Sequence, residues 1–156
     1  MFPPGAGIVI RKQAWLQSVP ELQQIAGVSG NSLSSKCEDV EMLSYLFYAG
    51  WELWFNKDMI IEHIIPKSRF ERDYIISFFR GVGLSRFQTR IIGYKPWQRF
   101  WVMPIYMIND LRKIILHFIK YRNFLKNDVV AAGEMECLLN IFLSPFFNWK
   151  KMRFND

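Results

Sequence analysis

With 156 residues and 51% hydrophobic content, the chain is long enough to bury a core and too apolar for a disordered tail. Its 14 Phe, 6 Trp and 6 Tyr exceed what a small domain usually hides, so part of that surface is expected to meet a partner or a membrane. The net charge of +6 is regional, since residues 57–126 hold fourteen Lys/Arg against five acids while residues 1–56 and 127–156 are slightly acidic.

Such a basic, aromatic-rich middle suits anionic lipid, a phosphorylated acceptor or nucleic acid, and charge alone does not choose among them. Cys37 and Cys137 have neither CxxC nor metal-type spacing and read as free thiols of a reducing compartment. Residues 1–5 lack both a charged start and an apolar run, so no signal peptide is expected and a cytoplasmic location follows.

In chain order, Gly5-Ala6-Gly7 reads as a turn before a buried strand at residues 7–10, and residues 12–18 as a short helix stopped near Pro20. A polar loop leads to Glu38-Asp39, which opens an amphipathic helix closed by Gly50. Trp51-Glu52-Leu53-Trp54-Phe55 alternates as a strand, Asn56-Lys57-Asp58 turns, and residues 59–63 form the next strand, ending at His63. Those few strands would leave an unpaired sheet edge.

From Ser68 the pattern becomes helical. Ser68-Arg69-Phe70-Glu71 has the form of a capping box, and Gly81 and Gly83 are expected to end the helix behind it. A second helix covers residues 84–92. Pro96 opens a longer one that Pro104 should kink or break. The apolar run at residues 100–108 is too short to span a bilayer. Trp97, Trp101 and Tyr106 beside Arg99, Arg112 and Lys113 suit an interfacial segment instead, with packing on another domain as the equal alternative. His117 sits among apolar residues and reads as structural. Asp128 caps a final helix that runs toward Pro145.

A carboxylate at a helix start accepts backbone N–H bonds and is favoured by the macrodipole, so ionised Asp39 has the means to take a proton from a hydroxyl. On residue types alone, plain N-capping is the commoner explanation. A lone histidine such as His63, with no second ligand spaced near it, is more often a half-buried structural residue than a metal ligand.

The succession Gly5-Ala6-Gly7-Ile8-Val9-Ile10-Arg11-Lys12-Gln13-Ala14-Trp15, Glu38-Asp39-Val40-Glu41-Met42, Ala49-Gly50-Trp51-Glu52 and His63 resembles the acceptor-side half of an inverting family 2 glycosyltransferase of GT-A fold. The continuation through Glu71-Arg72-Asp73-Tyr74, Gly83-Leu84-Ser85-Arg86, Lys95-Pro96-Trp97-Gln98-Arg99 and Asn109-Asp110-Leu111-Arg112-Lys113 is similar to the C-terminal region of cyanobacterial hormogonium-polysaccharide glycosyltransferases. The likeness runs from about Pro4 to Trp149. It implies an α+β chain: a partial GT-A fold with few strands and an incomplete sheet over residues 1–66, then a mainly helical, amphipathic region over residues 67–156.

The resemblance also implies roles. Asp39 becomes the catalytic base and Glu38 its orienting neighbour; Gly5, Ala6, Gly7 and Trp51 become substrate-binding; His63 approaches a divalent metal, Mg or Mn, held with a nucleotide-sugar donor. The acceptor would be a glycan or lipid-linked. Where the family often has a glycine or another small residue before Glu-Asp, this chain has Cys37.

The chain contains no Asp-x-Asp and no Gly-rich phosphate loop. Because Met1 stands so near the glycine turn, the expectation is a fragment, inactive without an N-terminal nucleotide-binding half and located in the cytoplasm or at the inner face of the plasma membrane.

Three rivals remain. Glu62-His63-Ile64-Ile65-Pro66 also matches the start of an HNH nuclease motif, but the Gly-rich turn and later Asn and His of that motif do not follow. A non-catalytic basic helical module that binds a membrane surface or a partner subunit is the main alternative. General nucleic-acid binding comes third, after the transferase reading and that module.

Overall fold

Apolar residues recurring every three or four positions make most of the described residues helical. The computed structural model describes residues 7–20 and 37–154. Its helices are α1 (Lys12–Ser18), α2 (Glu38–Tyr48), α3 (Arg72–Leu84), α4 (Arg86–Ile91), α5 (Pro96–Tyr121) and α6 (Val129–Phe154), with a 3₁₀ turn at Lys67–Phe70.

The expected α+β fold with a partial GT-A sheet is overturned, because the described residues contain no strand. Residues 8–11, 51–56 and 59–66 lie outside regular secondary structure. A strand is defined by its ladder, and the backbone bonds that residues 51–66 make with the described residues are local: Trp51 N–H to the Leu46 carbonyl at the helix end, Met59 N–H to the Asn56 carbonyl across the turn, and Arg69 N–H to the Pro66 carbonyl in the 3₁₀ turn. Alternating hydrophobicity gave these residues a preference for pairing; among the described residues no segment supplies the partner backbone.

Packing falls into two regions. In the first, α1 and α2 bury Ala14, Val19, Met42, Leu43 and Leu46, with Ile8, Ile10, Tyr45 and Trp51 against them. Gly7, at φ +82°, lets residue 7 approach Ile61, whose Cδ1 would stand 2.7 Å from any Cβ placed there.

In the second, α3 lies along α6 on small residues. A Cβ on Gly83 would stand 2.6 Å from the Cys137 carbonyl oxygen and 2.8 Å from the Asn140 Cβ, and one on Gly133 would meet the Phe79 ring. α3 ends at Leu84, one residue beyond Gly83, so the two glycines stand at the helix end as expected, and Gly83 also permits the close approach to α6. The interior here is polar as well as apolar, since Ser85, Gln88, Asp110, Asn140 and Ser144 are buried beside Ala131.

Helix boundaries follow local chemistry. The Ser68 capping box does not form: Ser68 belongs to the 3₁₀ turn and α3 starts at Arg72 without a side-chain cap. Asp128 does cap α6, its Oδ1 accepting from the Val130 N–H at 2.8 Å and the Ala131 N–H at 3.2 Å.

Both internal prolines are tolerated. The carbonyl that Pro145 leaves without its helical donor is that of Ile141, and the buried Ser144 hydroxyl donates to it at 2.7 Å. Pro104 leaves the Phe100 carbonyl, and both residues are exposed, so water can replace the lost donor and α5 continues unbroken.

Candidate functional site

The Glu38-Asp39 pair begins α2 behind an unusual backbone step. Cys37 has φ +94° and ψ +39°, a left-handed conformation that glycine adopts freely and other residues rarely do. That step turns the chain so that both carboxylates lie in the first helical turn. Asp39 and Glu38 are half-buried, and the Asp39 Oδ1 accepts the Val40 N–H at 2.9 Å.

The two residues flanking the pair, Cys37 and Val40, line a cleft of about 1170 Å3. Its wall is formed by these neighbours rather than by the carboxylates themselves. Phe47, Trp51 and Trp54 supply aromatic surface, while Ser85, Arg86 and Thr89 from the α3–α4 junction supply polar groups. Such a mixture, mostly apolar with a few placed polar groups, is what small-ligand sites share.

Electrostatics tie the parts together. Burial pushes the Cys37 thiol above its ordinary range; a hydrogen bond with the Ser85 side chain and the Arg86 charge oppose that, whereas Asp39 and Glu38 add to it. All four residues therefore act on one atom at the head of α2. Cys137 of α6 reaches the same point, its thiol pushed up to about 11 by burial first and by Cys37 second.

Trp51 is fixed from the side. Its indole N–H donates to the Ser18 hydroxyl at 3.0 Å, and the Arg11 guanidinium stands 5.9 Å from its ring centre. The end of α1 thus sets the angle of the cleft's aromatic wall. Trp54, by contrast, is 86% exposed, with its indole N–H on the Glu52 carboxylate at 3.0 Å.

The remaining expected site residues are not gathered here. Gly5 and Ala6 lie outside the described residues. Gly7 serves the contact with Ile61 and is not a cleft residue. His63 is exposed in the extended run 59–66, and no three His, Cys, Asp or Glu side chains converge on a metal-sized space among the described residues. The residues present therefore do not fit a divalent metal.

Phe47, Trp54, Ser85, Arg86 and Thr89 were not anticipated as site residues. The last three lie more than forty positions from Asp39 in sequence, and only the docking of α2 on α4 brings them to it.

Compared with known proteins, the chain matches no protein-family model, no curated protein and no solved structure.

Proposed function

We propose that this chain supplies the acceptor-side wall of an inverting glycosyltransferase, with the nucleotide-sugar donor and its divalent metal held by a complementary polypeptide. The observation that carries this reading is the backbone of Cys37. At the position where the resembled family often places glycine, this chain keeps a glycine-like φ of +94°, and so presents Glu38-Asp39 beside an aromatic cleft as the resemblance requires.

In the proposed reaction an acceptor, a glycan or a lipid-linked sugar, lies in the cleft against Trp51 with its reacting hydroxyl at the rim, where Cys37 and Val40 border the head of α2. The Asp39 carboxylate takes its proton as the oxygen bonds to the anomeric carbon of the donor. The bond from that carbon to the diphosphate oxygen breaks on the opposite face, and the electron pair leaves with the nucleoside diphosphate. One displacement inverts the anomeric centre, and Asp39 afterwards returns its proton to solvent. Glu38 holds the approach geometry, and the cleft aromatics offer flat surface to the sugar rings.

The test is transfer of a radiolabelled sugar after co-expression with a donor-binding segment of the resembled family. Activity is expected only when both polypeptides are present, and Asp39→Asn should lower it by about 100-fold or more. Full transfer by the Asp39→Asn protein would remove the base assignment.

A further inference from the structure

The less exposed face of helix α5 mixes the apolar Val102, Met103, Met107 and Ile114 with polar groups: Asp110 is held by Arg90, His117 Nε2 lies 3.1 Å from the Ala131 carbonyl, and Tyr106 meets Tyr94 through their hydroxyls. Its outward face is apolar. Trp97, Trp101, Ile105, Ile108, Ile115 and Ile119 follow one another at intervals of three or four, broken only by Arg112, and all are exposed, Ile108 to 71%. Phe100, Leu111 and Phe118 widen the same stripe. The helix that carries it has 26 residues and is about 39 Å long.

The charge around this stripe selects its occupant. Residues 95–126 contain seven Lys/Arg and a single acid, Asp110, and that acid is buried in its ion pair. Arg112 lies within the stripe, and the exposed Lys113 and Lys120 lie beyond its edge, toward the more polar side of the helix. A second copy of the same helix would bury Arg112 in an apolar seam, which is unfavourable without a counter-charge. Against a bilayer the same side chain lays its stem along the apolar face and extends its head to a phosphate. Aromatic residues crowd the first turn and a half, as amphipathic rings do at the headgroup level.

We infer that α5 lies flat on an anionic bilayer, its outward stripe in the headgroup–acyl boundary and its basic side chains on lipid phosphates. This goes beyond the transferase reading and does not depend on it. The long apolar stretch Val129–Phe147 of α6 meets the length and composition of a membrane span, but one side of it is committed to α3 through Gly133, Gly83 and the Arg80–Glu136 ion pair. The exposed apolar helix face with basic side chains in and beside it belongs to α5.

The test is co-sedimentation of the full chain with vesicles of phosphatidylcholine alone and of phosphatidylcholine with about 30% phosphatidylglycerol. Binding is expected to be about ten-fold or more tighter to the anionic vesicles and to weaken with salt. Ile108→Asp with Ile115→Asp, both at exposed positions, should lower it about ten-fold or more while far-ultraviolet circular dichroism stays unchanged. Arg112→Glu with Lys113→Glu and Lys120→Glu should remove the preference for anionic lipid but leave helix content intact.

Three results would overturn the inference: no vesicle binding, binding indifferent to the Asp substitutions, or a dimer that those substitutions dissociate without any lipid dependence. Association that survives the α5 substitutions and resists alkaline carbonate would move the contact to α6 and overturn it equally.

Discussion

Arg90 and Asp110 are joined by two parallel hydrogen bonds, Nη1 to Oδ2 at 2.6 Å and Nη2 to Oδ1 at 2.8 Å, with the guanidinium 4.5 Å from the Tyr106 ring centre. The Asp110 side chain is 2% exposed and that of Arg90 11%. This pair fastens α5 to α4, and it helps set which way α5 faces. With Asp110 turned inward to Arg90, the residues on the far side of the helix, Trp101, Ile105, Ile108 and Ile115 among them, are exposed.

Removing one partner leaves a buried charge without its counter-ion. Asp110→Ala should therefore lower stability by about 3–5 kcal/mol, with Asp110→Asn between that and the parent. Urea denaturation reads the difference. A loss below about 1 kcal/mol would show the pair behaving as a solvated surface bridge.

Cys37 tests the backbone argument. In its left-handed conformation every side chain costs something that glycine does not. Cys37→Gly should consequently be more stable than Cys37→Ala by about 1 kcal/mol, since both lose the thiol and only alanine keeps the strain. Equal stability of the two would mean that residue 37 is free to leave the left-handed region, and the turn that presents Glu38-Asp39 would lose its basis.

Gly83 tests the close approach of α3 to α6. A methyl group there meets backbone at the Cys137 carbonyl and the Asn140 Cβ, neither of which is the flexible end of a side chain. Although alanine is the better helix former, Gly83→Ala should destabilise by about 1–3 kcal/mol through overpacking. Thermal unfolding of the two proteins decides the sign. A more stable variant would show that propensity outweighs the contact.

The Cys137 thiol gives a pH signature. Its proton is lost at about 11 in the folded chain, against an ordinary value of 9.0, so between those values the unfolded chain is the more readily ionised form. The contribution to stability is complete below pH 9 and is lost as pH rises toward 11. Urea midpoints at pH 8 and pH 10.5 should differ for the parent, and Cys137→Ala should flatten the change. An identical pH dependence in both proteins would assign the effect elsewhere.

How much of this was legible beforehand depends on what each feature needs. The helix at 12–18, the one opened by Glu38, the Asp128 cap and the turn at Asn56-Lys57-Asp58 rest on neighbours in sequence, and all are where periodicity and capping chemistry place them. The structural role of His117 was readable too, from the apolar residues around it.

The failures share one cause. Residues 51–55 and 59–63 carry strand-like alternation, yet a strand exists only when a second backbone completes its ladder, and none among the described residues does. That Gly83 also meets α6 carries no local mark. Pro145 looks like a break until the Ser144 hydroxyl is seen to supply the missing donor. The cleft's Arg86 and Ser85 carry no local mark, because their relation to Asp39 is created by the packing of α2 on α4.

Local order, the basic middle and the position of the carboxylate pair were thus determined by the amino-acid sequence alone, since each depends on residues within a turn or two of one another. Tertiary structure decided which helix faces are covered. Periodicity shows that α5 has an apolar side, but long-range contacts, the Arg90–Asp110 pair twenty positions apart first among them, turn that side outward.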